Sequence, residues 1–234
     1  MDLKKLDFIV QTIQESSKNF KKSALQILDI GCGKGGASFP LASLGYNVLG
    51  IDLDRDAVHF LNDANLFPNA TFAFGDAERL DLNKKFDIVI CSEVLEHLDY
   101  PQLLLGSIKR HLKEKGVAIV TIPNGYGPWE LLFDLPLRLA LYIFHRITNK
   151  QPNRGAQHVQ NFSMRRFRKL CSTAGRLHIT RVGHSDFVSG FPMLRRSRIS
   201  ICDLMIADRL PHFLVSGWFF VLTSPDATEA RGTK

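Results

Sequence analysis

Nothing in this 234-residue chain is spaced to grip a metal ion or to staple loops together. Its four cysteines, Cys32, Cys91, Cys171 and Cys202, form no C-x-x-C pair and no Cys/His cluster with zinc spacing. They read as reduced, packed thiols. Long apolar runs are missing too. The greasiest stretch, residues 130–144, is interrupted by Asp134, Pro136 and Arg138 and is too short to span a bilayer. The N-terminus is amphipathic and lacks the apolar core and small-residue cleavage site of an export signal. These absences place the chain in the cytoplasm as an expectation. No internal repeat or low-complexity segment is present. A P-loop is excluded because G-K-[ST] is missing, although Lys34 sits in a glycine-rich loop.

Charge is plentiful but unevenly spread. The formal net charge is +7, yet residues 1–137 carry 14 Lys+Arg against 18 Asp+Glu, and residues 138–234 carry 16 against 5. A basic C-terminal part invites nucleic acid, a membrane surface or an anionic substrate, and it also simply solubilises a domain.

Hydrophobic periodicity supplies the architecture. Leu3, Leu6, Val10 and Ile13 recur at helical spacing, so residues 2–17 read as an amphipathic helix within an N-terminal segment, 1–22. Apolar strands are expected at 24–30, 47–52, 70–76, 86–91 and 117–123. Helices are expected at 35–44, 54–66 and 101–114, the second with Ala57, Phe60, Leu61 and Ala64 facing inward. Such alternation predicts an α/β fold, a doubly wound, mostly parallel sheet. After Asn124 the rhythm breaks into two excursions, 125–160 and 184–216. Between them lie a helix at 163–175, capped by Ser163 and ended by Gly175, and a strand at 176–183. A final strand is expected at 217–225.

The loops that carry chemistry all follow strands. "LDIGCGKGG" (28–36) places Gly31, Gly33 and Gly35 between a strand and a helix, a turn with exposed N–H groups and no Cβ in a ligand's path. Asp52 ends the second strand about twenty residues later, where a carboxylate can accept ribose hydroxyls. Asp76 ends the third, beside the Ala77 N–H, a pairing able to read an adenine edge. Read alone, Asp52 is also a helix cap and Asp76 a turn former.

In order along the chain, "LDIGCGKGG", "GIDLD" (50–54), "GDAERL" (75–80), "FDIVICSEVLEHL" (86–98) and "IVTIPNG" (119–125) resemble the class I S-adenosylmethionine-dependent methyltransferases. "HVQNFSMRRFRKLCSTAG" (158–175) looks like a segment of their ubiquinone-biosynthesis-like, small-molecule branch. The resemblance implies one Rossmann-like domain, 1–234, with a seven-stranded sheet whose last strand is antiparallel. It implies S-adenosylmethionine as cofactor and S-adenosylhomocysteine as product. It also assigns residues: Asp29 and the Gly31–Gly35 backbone to the methionine portion, Asp52 to the ribose, Asp76 and Ala77 to adenine, Leu53 and Leu80 to the ring's apolar walls, and Cys91 and Ser92 to the methionine amino group.

Methyl transfer from a sulfonium needs alignment, and a hydroxyl acceptor also needs a base. His97, in "EVLEH", and His158 are the candidate catalytic residues; each also reads as an ordinary supporting or surface histidine. No metal-binding carboxylate cluster of the catechol-methylating kind is evident, since Glu96 and Asp99 are too few. The excursions 125–160 and 184–216 are expected to form helical cap insertions. Leu131, Leu132, Leu135, Leu139, Tyr142 and Phe191, bordered by Arg195, Arg196 and Arg198, suit a small hydrophobic or anionic acceptor, with O-methylation favoured. The same faces could pack a homodimer or touch a membrane or lipid-linked substrate. Nucleic acid is disfavoured because "PNG" lacks the N/D-P-P-Y/F signature of base-amino methylation. RNA or protein methylation and a non-catalytic nucleoside-binding protein stand as alternatives.

Overall fold

Strand parity sorts this molecule into layers. The computed structural model describes residues 3–18, 20–127, 136, 159–185 and 209–225. Within them seven strands form one sheet: β1 (Gln26–Ile30), β2 (Asn47–Asp52), β3 (Ala70–Phe74), β4 (Phe86–Ser92), β5 (Leu112–Pro123), β6 (His178–His184) and β7 (Gly217–Thr223). Their order is β3-β2-β1-β4-β5-β7-β6. The first five are parallel, β7 runs antiparallel to β5, and β6 antiparallel to β7. The expected doubly wound, mostly parallel seven-stranded sheet is therefore present. Strand order reverses between β1 and β4, which opens a crevice beyond their carboxyl ends.

Among the described residues the faces are covered by α1 (Leu3–Ser16), α2 (Ser38–Ser43), α3 (Arg55–Ala64), α4 (Pro101–His111) and α5 (Met164–Leu170). Ile27, Ile88, Ile90 and Ile119 pack toward α1, α2 and α3. Leu28, Val89, Cys91 and Val120 pack toward α4 and α5. Both faces are buried, which is why β1 and β4 read as continuous apolar runs. Among the described residues no helix is long and apolar enough to cross a membrane.

Several boundaries and faces differ from the sequence expectation. In α1 the inward face is Ile9, Thr12 and Ile13, while Leu3 is exposed. The helix is rotated because Phe8 stacks on Phe219 with ring centroids 5.4 Å apart. Arg181 of β6 then covers Phe8, its guanidinium 4.6 Å from the ring, and donates to Glu15 and to Thr12. In α3 Val58 and Leu61 are buried, and Phe60 faces out. The helix expected at 101–114 stops at His111 because the chain already pairs with β4 from Leu112. Ser163 caps α5 as expected, accepting from the Arg166 N–H at 3.2 Å. The helix then loosens into a wider turn over 171–175, and the left-handed residue that ends it is Arg176, not Gly175. Much of each insertion, including 128–135, 137–158 and 186–208, lies outside the described residues.

Docking of α1 depends on a few fully buried side chains, so Ile13→Ala should cost about 2–5 kcal/mol of stability. A urea titration followed by far-UV circular dichroism checks this. A loss below about 0.5 kcal/mol would mean that α1 contributes little to the fold.

Candidate active site

Parity also decides which side chains reach the crevice. Asp29 of β1, Ser92 of β4 and Thr121 of β5 sit on the α1–α2 side of the sheet. Together with Lys5, Gly31, Gly36 and Glu93, Asp29 and Ser92 line a cavity of about 200 Å³. Cys91 is one residue out of phase with Ser92. Its thiol is fully buried in the opposite layer and does not line the cavity.

The glycine loop is built by packing as much as by ligand access. A Cβ on Gly35 would fall 2.7 Å from Phe39 Cδ2 and 2.8 Å from Leu61 Cδ2, so this glycine lets the loop lie against α2 and α3. At Gly33, φ is +53° and a Cβ would meet nothing within 4 Å. The space over Gly33 is open. The loop's N–H groups are less exposed than expected. Those of Gly31 and Cys32 donate to the Ile51 carbonyl, that of Gly35 to the Cys32 carbonyl, and that of Gly33 to Asp52 Oδ2 at 2.7 Å.

Asp52 is thereby fixed at the end of β2, with Oδ1 accepting from the Asp54 N–H at 2.9 Å. Each oxygen keeps a second lone pair for a further donor. Asp54, not Asp52, caps α3. Asp76 Oδ1 accepts from the Glu78 N–H at 2.9 Å, a local turn, and the Ala77 N–H has no partner among the described residues. Of the two expected apolar walls, Leu53 is 62% exposed beside Asp52, whereas Leu80 is 5% exposed and belongs to the core.

Charge is concentrated around the cavity. Asp29 is buried and accepts from Ser38 Oγ at 2.6 Å. Burial raises its pKa, the Ser38 hydrogen bond partly offsets that, and the charge of Asp52 adds to it, giving about 6. Burial, with Asp29 and Asp52 nearby, keeps the Cys32 thiol protonated, so it is no nucleophile. Glu93 follows β4 with φ +57°, a kink that turns its side chain back onto the sheet. Its Oε1 accepts from Thr121 Oγ1 at 2.9 Å and pairs with Lys5 Nζ at 3.1 Å. The single hydroxyl proton of Thr121 goes to Glu93, so Ser92, 2.9 Å away, is the donor to Thr121.

Lys5 is the residue that sequence reasoning missed. Its helical position was legible, but the rotation that brings it over the crevice depends on Phe8 and Arg181. Its side chain is only 14% exposed.

Beyond Glu93 lies a short turn, Leu95–His97. Glu96 is 1% exposed, and neither carboxylate oxygen has a hydrogen-bond partner among the described residues. Burial, then the charge of Glu93, raise its pKa to about 8, with Lys5 opposing. His97 Nε2 lies 3.9 Å from Glu96 Oε1, and the His97 side chain is 43% exposed. His158 lies outside the described residues. Its chain neighbours fold over Glu96: the N–H groups of Val159 and Gln160 both donate to the Glu96 carbonyl, at 2.8 and 3.0 Å. The Gly125 N–H donates to the Phe162 carbonyl, and the buried Asn124 amide donates to the Val215 carbonyl at 2.9 Å. Both insertions are thus closed at their bases beside the crevice. Among the described residues no three His, Cys, Asp or Glu side chains are grouped to hold a metal ion.

A carboxyl whose folded pKa exceeds its unfolded value favours the fold when protonated. Stability from Glu96 is therefore complete below pH 4.5 and is lost as pH rises toward about 8. Glu96→Gln should match the parent at pH 4 and be the more stable protein at pH 8. Urea midpoints across that range test this; parallel curves would show that Glu96 ionises normally.

Known proteins place this geometry. A family model described as a methyltransferase domain matches residues 21–182, more than half of the chain. A ubiquinone biosynthesis O-methyltransferase from Rickettsia typhi is 32% identical over 126 residues, covering 51% of this chain and 49% of the relative. Its counterpart from Rickettsia conorii is 36% identical over 106 residues, covering 44% and 36%. The chain thus spans about half the length, or less, of the curated relatives it matches. Among solved structures, an S-adenosylmethionine-dependent methyltransferase from Clostridium acetobutylicum superposes with a TM-score of 0.64 at 17% identity, covering 96% of this chain and 92% of that one. The magnesium protoporphyrin IX methyltransferase from Synechocystis PCC 6803, with bound S-adenosylhomocysteine, gives 0.58 at 19%, covering 94% and 81%. With the glycine loop, Asp52 and Asp76 arrayed on one rim of this sheet, the chain belongs to the class I S-adenosylmethionine-dependent methyltransferases.

Proposed function

We propose that this methyltransferase acts on a hydroxyl of a small, hydrophobic or anionic acceptor. The observation that carries the reading is the partly exposed His97 ring backed by the buried Glu96 at 3.9 Å. The names of the Rickettsia relatives, O-methyltransferases of ubiquinone biosynthesis, support the same chemistry.

The residues present suit the donor. Its methionine end is a zwitterion, and the cavity offers Asp29 for the ammonium and Lys5 for the carboxylate. Open space over Gly33 leaves room for the ligand, Asp52 keeps lone pairs for ribose hydroxyls, and Asp76 with the Ala77 N–H suits adenine. Bound S-adenosylmethionine supplies an activated methyl group. Lys5, held by Glu93, orients the donor's carboxylate. Asp29, its charged form further favoured by the incoming ammonium, fixes the other end. His97 takes the acceptor hydroxyl's proton, and the imidazolium so formed is held beside the buried Glu96 carboxyl, 3.9 Å away. The segments 125–160 and 184–216 form the acceptor cap in this reading, with Tyr142 and Phe191 among its apolar residues. An amine acceptor would need no such base.

Donor binding is measured by calorimetry. Gly33→Ala and Lys5→Met should each weaken it by about ten- to hundredfold, the size of one charge-assisted contact or a filled ligand space. Unchanged affinity in both would refute the placement of the methionine end.

The acceptor is sought with radiolabelled donor over cell-extract fractions containing lipids, aromatic acids, small RNAs and proteins. With the acceptor found, His97→Gln should lower kcat at least tenfold, leaving donor affinity within about twofold. A product methylated on nitrogen, or an unaltered kcat, would overturn the hydroxyl assignment.

A further inference from the structure

A second cavity, of about 640 Å³, lies along β6, away from the donor site. Among the described residues β6 has a strand neighbour on one side only, β7. Because β6 runs parallel to β1, its beginning lies at the rim opposite the glycine loop. Leu177, Ile179 and Val182 give the groove an apolar lining, and the exposed Arg168, Arg176 and His178 surround it with positive or titratable groups.

The charge here is one-sided. Residues 159–185 hold six Lys+Arg and no Asp or Glu. Arg181 is paired with Glu15. Arg165, Arg168, Lys169 and Arg176 are exposed and have no carboxylate partner among the described residues. Methyl transfer uses none of them.

We propose that this groove docks an extended acidic segment of a partner protein, which adds as a strand to the edge of β6 that has no strand neighbour among the described residues and sets its carboxylates against Arg168 and Arg176. Three observations select this occupant. An unpaired edge offers main-chain donors and acceptors that only another extended backbone can match. Arginine forks bind carboxylates in pairs of hydrogen bonds. The one-sided basic charge of this edge disfavours a second copy of this chain, whose arginines would face these. A membrane surface is poorly matched, because residues 160–185 expose no large hydrophobic side chain. Single-stranded nucleic acid lacks a stacking platform, since Phe162 and Phe167 are both buried.

The test uses the full chain and a fluorescein-labelled ten-residue peptide of alternating Glu and Val. Its comparators are the same peptide with two central valines changed to proline, a ten-nucleotide single-stranded DNA, and phosphatidylglycerol vesicles, all at one salt concentration. The alternating peptide should bind most tightly, and the proline peptide at least fivefold more weakly. The Arg168→Glu/Arg176→Glu protein should lose at least tenfold in peptide affinity while donor affinity stays within twofold. Far-UV dichroism verifies that it folds; if it does not, Arg168→Gln/Arg176→Gln is read in its place. Equal binding of the proline peptide would reduce the effect to bare charge and overturn strand addition. Tighter binding of DNA or vesicles, or no response to the arginine changes, would overturn the proposal outright.

Discussion

A parallel strand buried on both faces can present polar groups to a ligand only near its last residues. This constraint organises the donor end of the molecule. β1 and β4 are sealed by α1–α3 on one side and by α4–α5 on the other. Their polar groups therefore gather where the strands stop, at Asp29 and at Ser92–Glu93. Parity then divides adjacent residues between layers with opposite fates. Ser92 reaches the cavity, and Cys91 becomes core.

The site so formed is short of positive charge. Asp29, Glu93 and Glu96 crowd one end of the sheet, and Lys5 pairs with only one of them. Burial raises the pKa values of Asp29 and Glu96, and a neighbouring carboxylate, Asp52 for the one and Glu93 for the other, adds to it. A cationic ligand relieves the shortage, and S-adenosylmethionine carries two positive centres, the sulfonium and the ammonium.

Much of this was legible in the residues. Glycine spacing, Asp52 about twenty residues on, and Asp76 at the next strand end come from local chemistry, and local chemistry is what a sequence displays. Residues whose role depends on tertiary contacts were not legible. Lys5 needed the rotation of α1 set by Phe8 on Phe219 and Gly183. The face of α3 was misjudged because Phe60 is as apolar as Leu61, and only the curvature of the sheet decides which is covered. Glu96 looked like an ordinary acidic residue on a turn until Val159 and Gln160 were seen to fold over its backbone. The layer that the Cys91 thiol enters was not legible, because family landmarks mark a strand's end without marking which side of the sheet each side chain takes.

Those stitched bases carry a consequence for how such a protein can change. Hydrogen bonds join Gly125 to Phe162, and Val159 and Gln160 to Glu96, so the first insertion leaves and rejoins the fold at nearly one place. A loop closed at its base is tolerant of length, because doubling its residues adds only about 0.6 kcal/mol of closure entropy. Residues 128–158 can therefore be lengthened, shortened or exchanged for another sequence while the donor half keeps its geometry. Those hydrogen bonds make Gly127 and Val159 the natural seam for recombination.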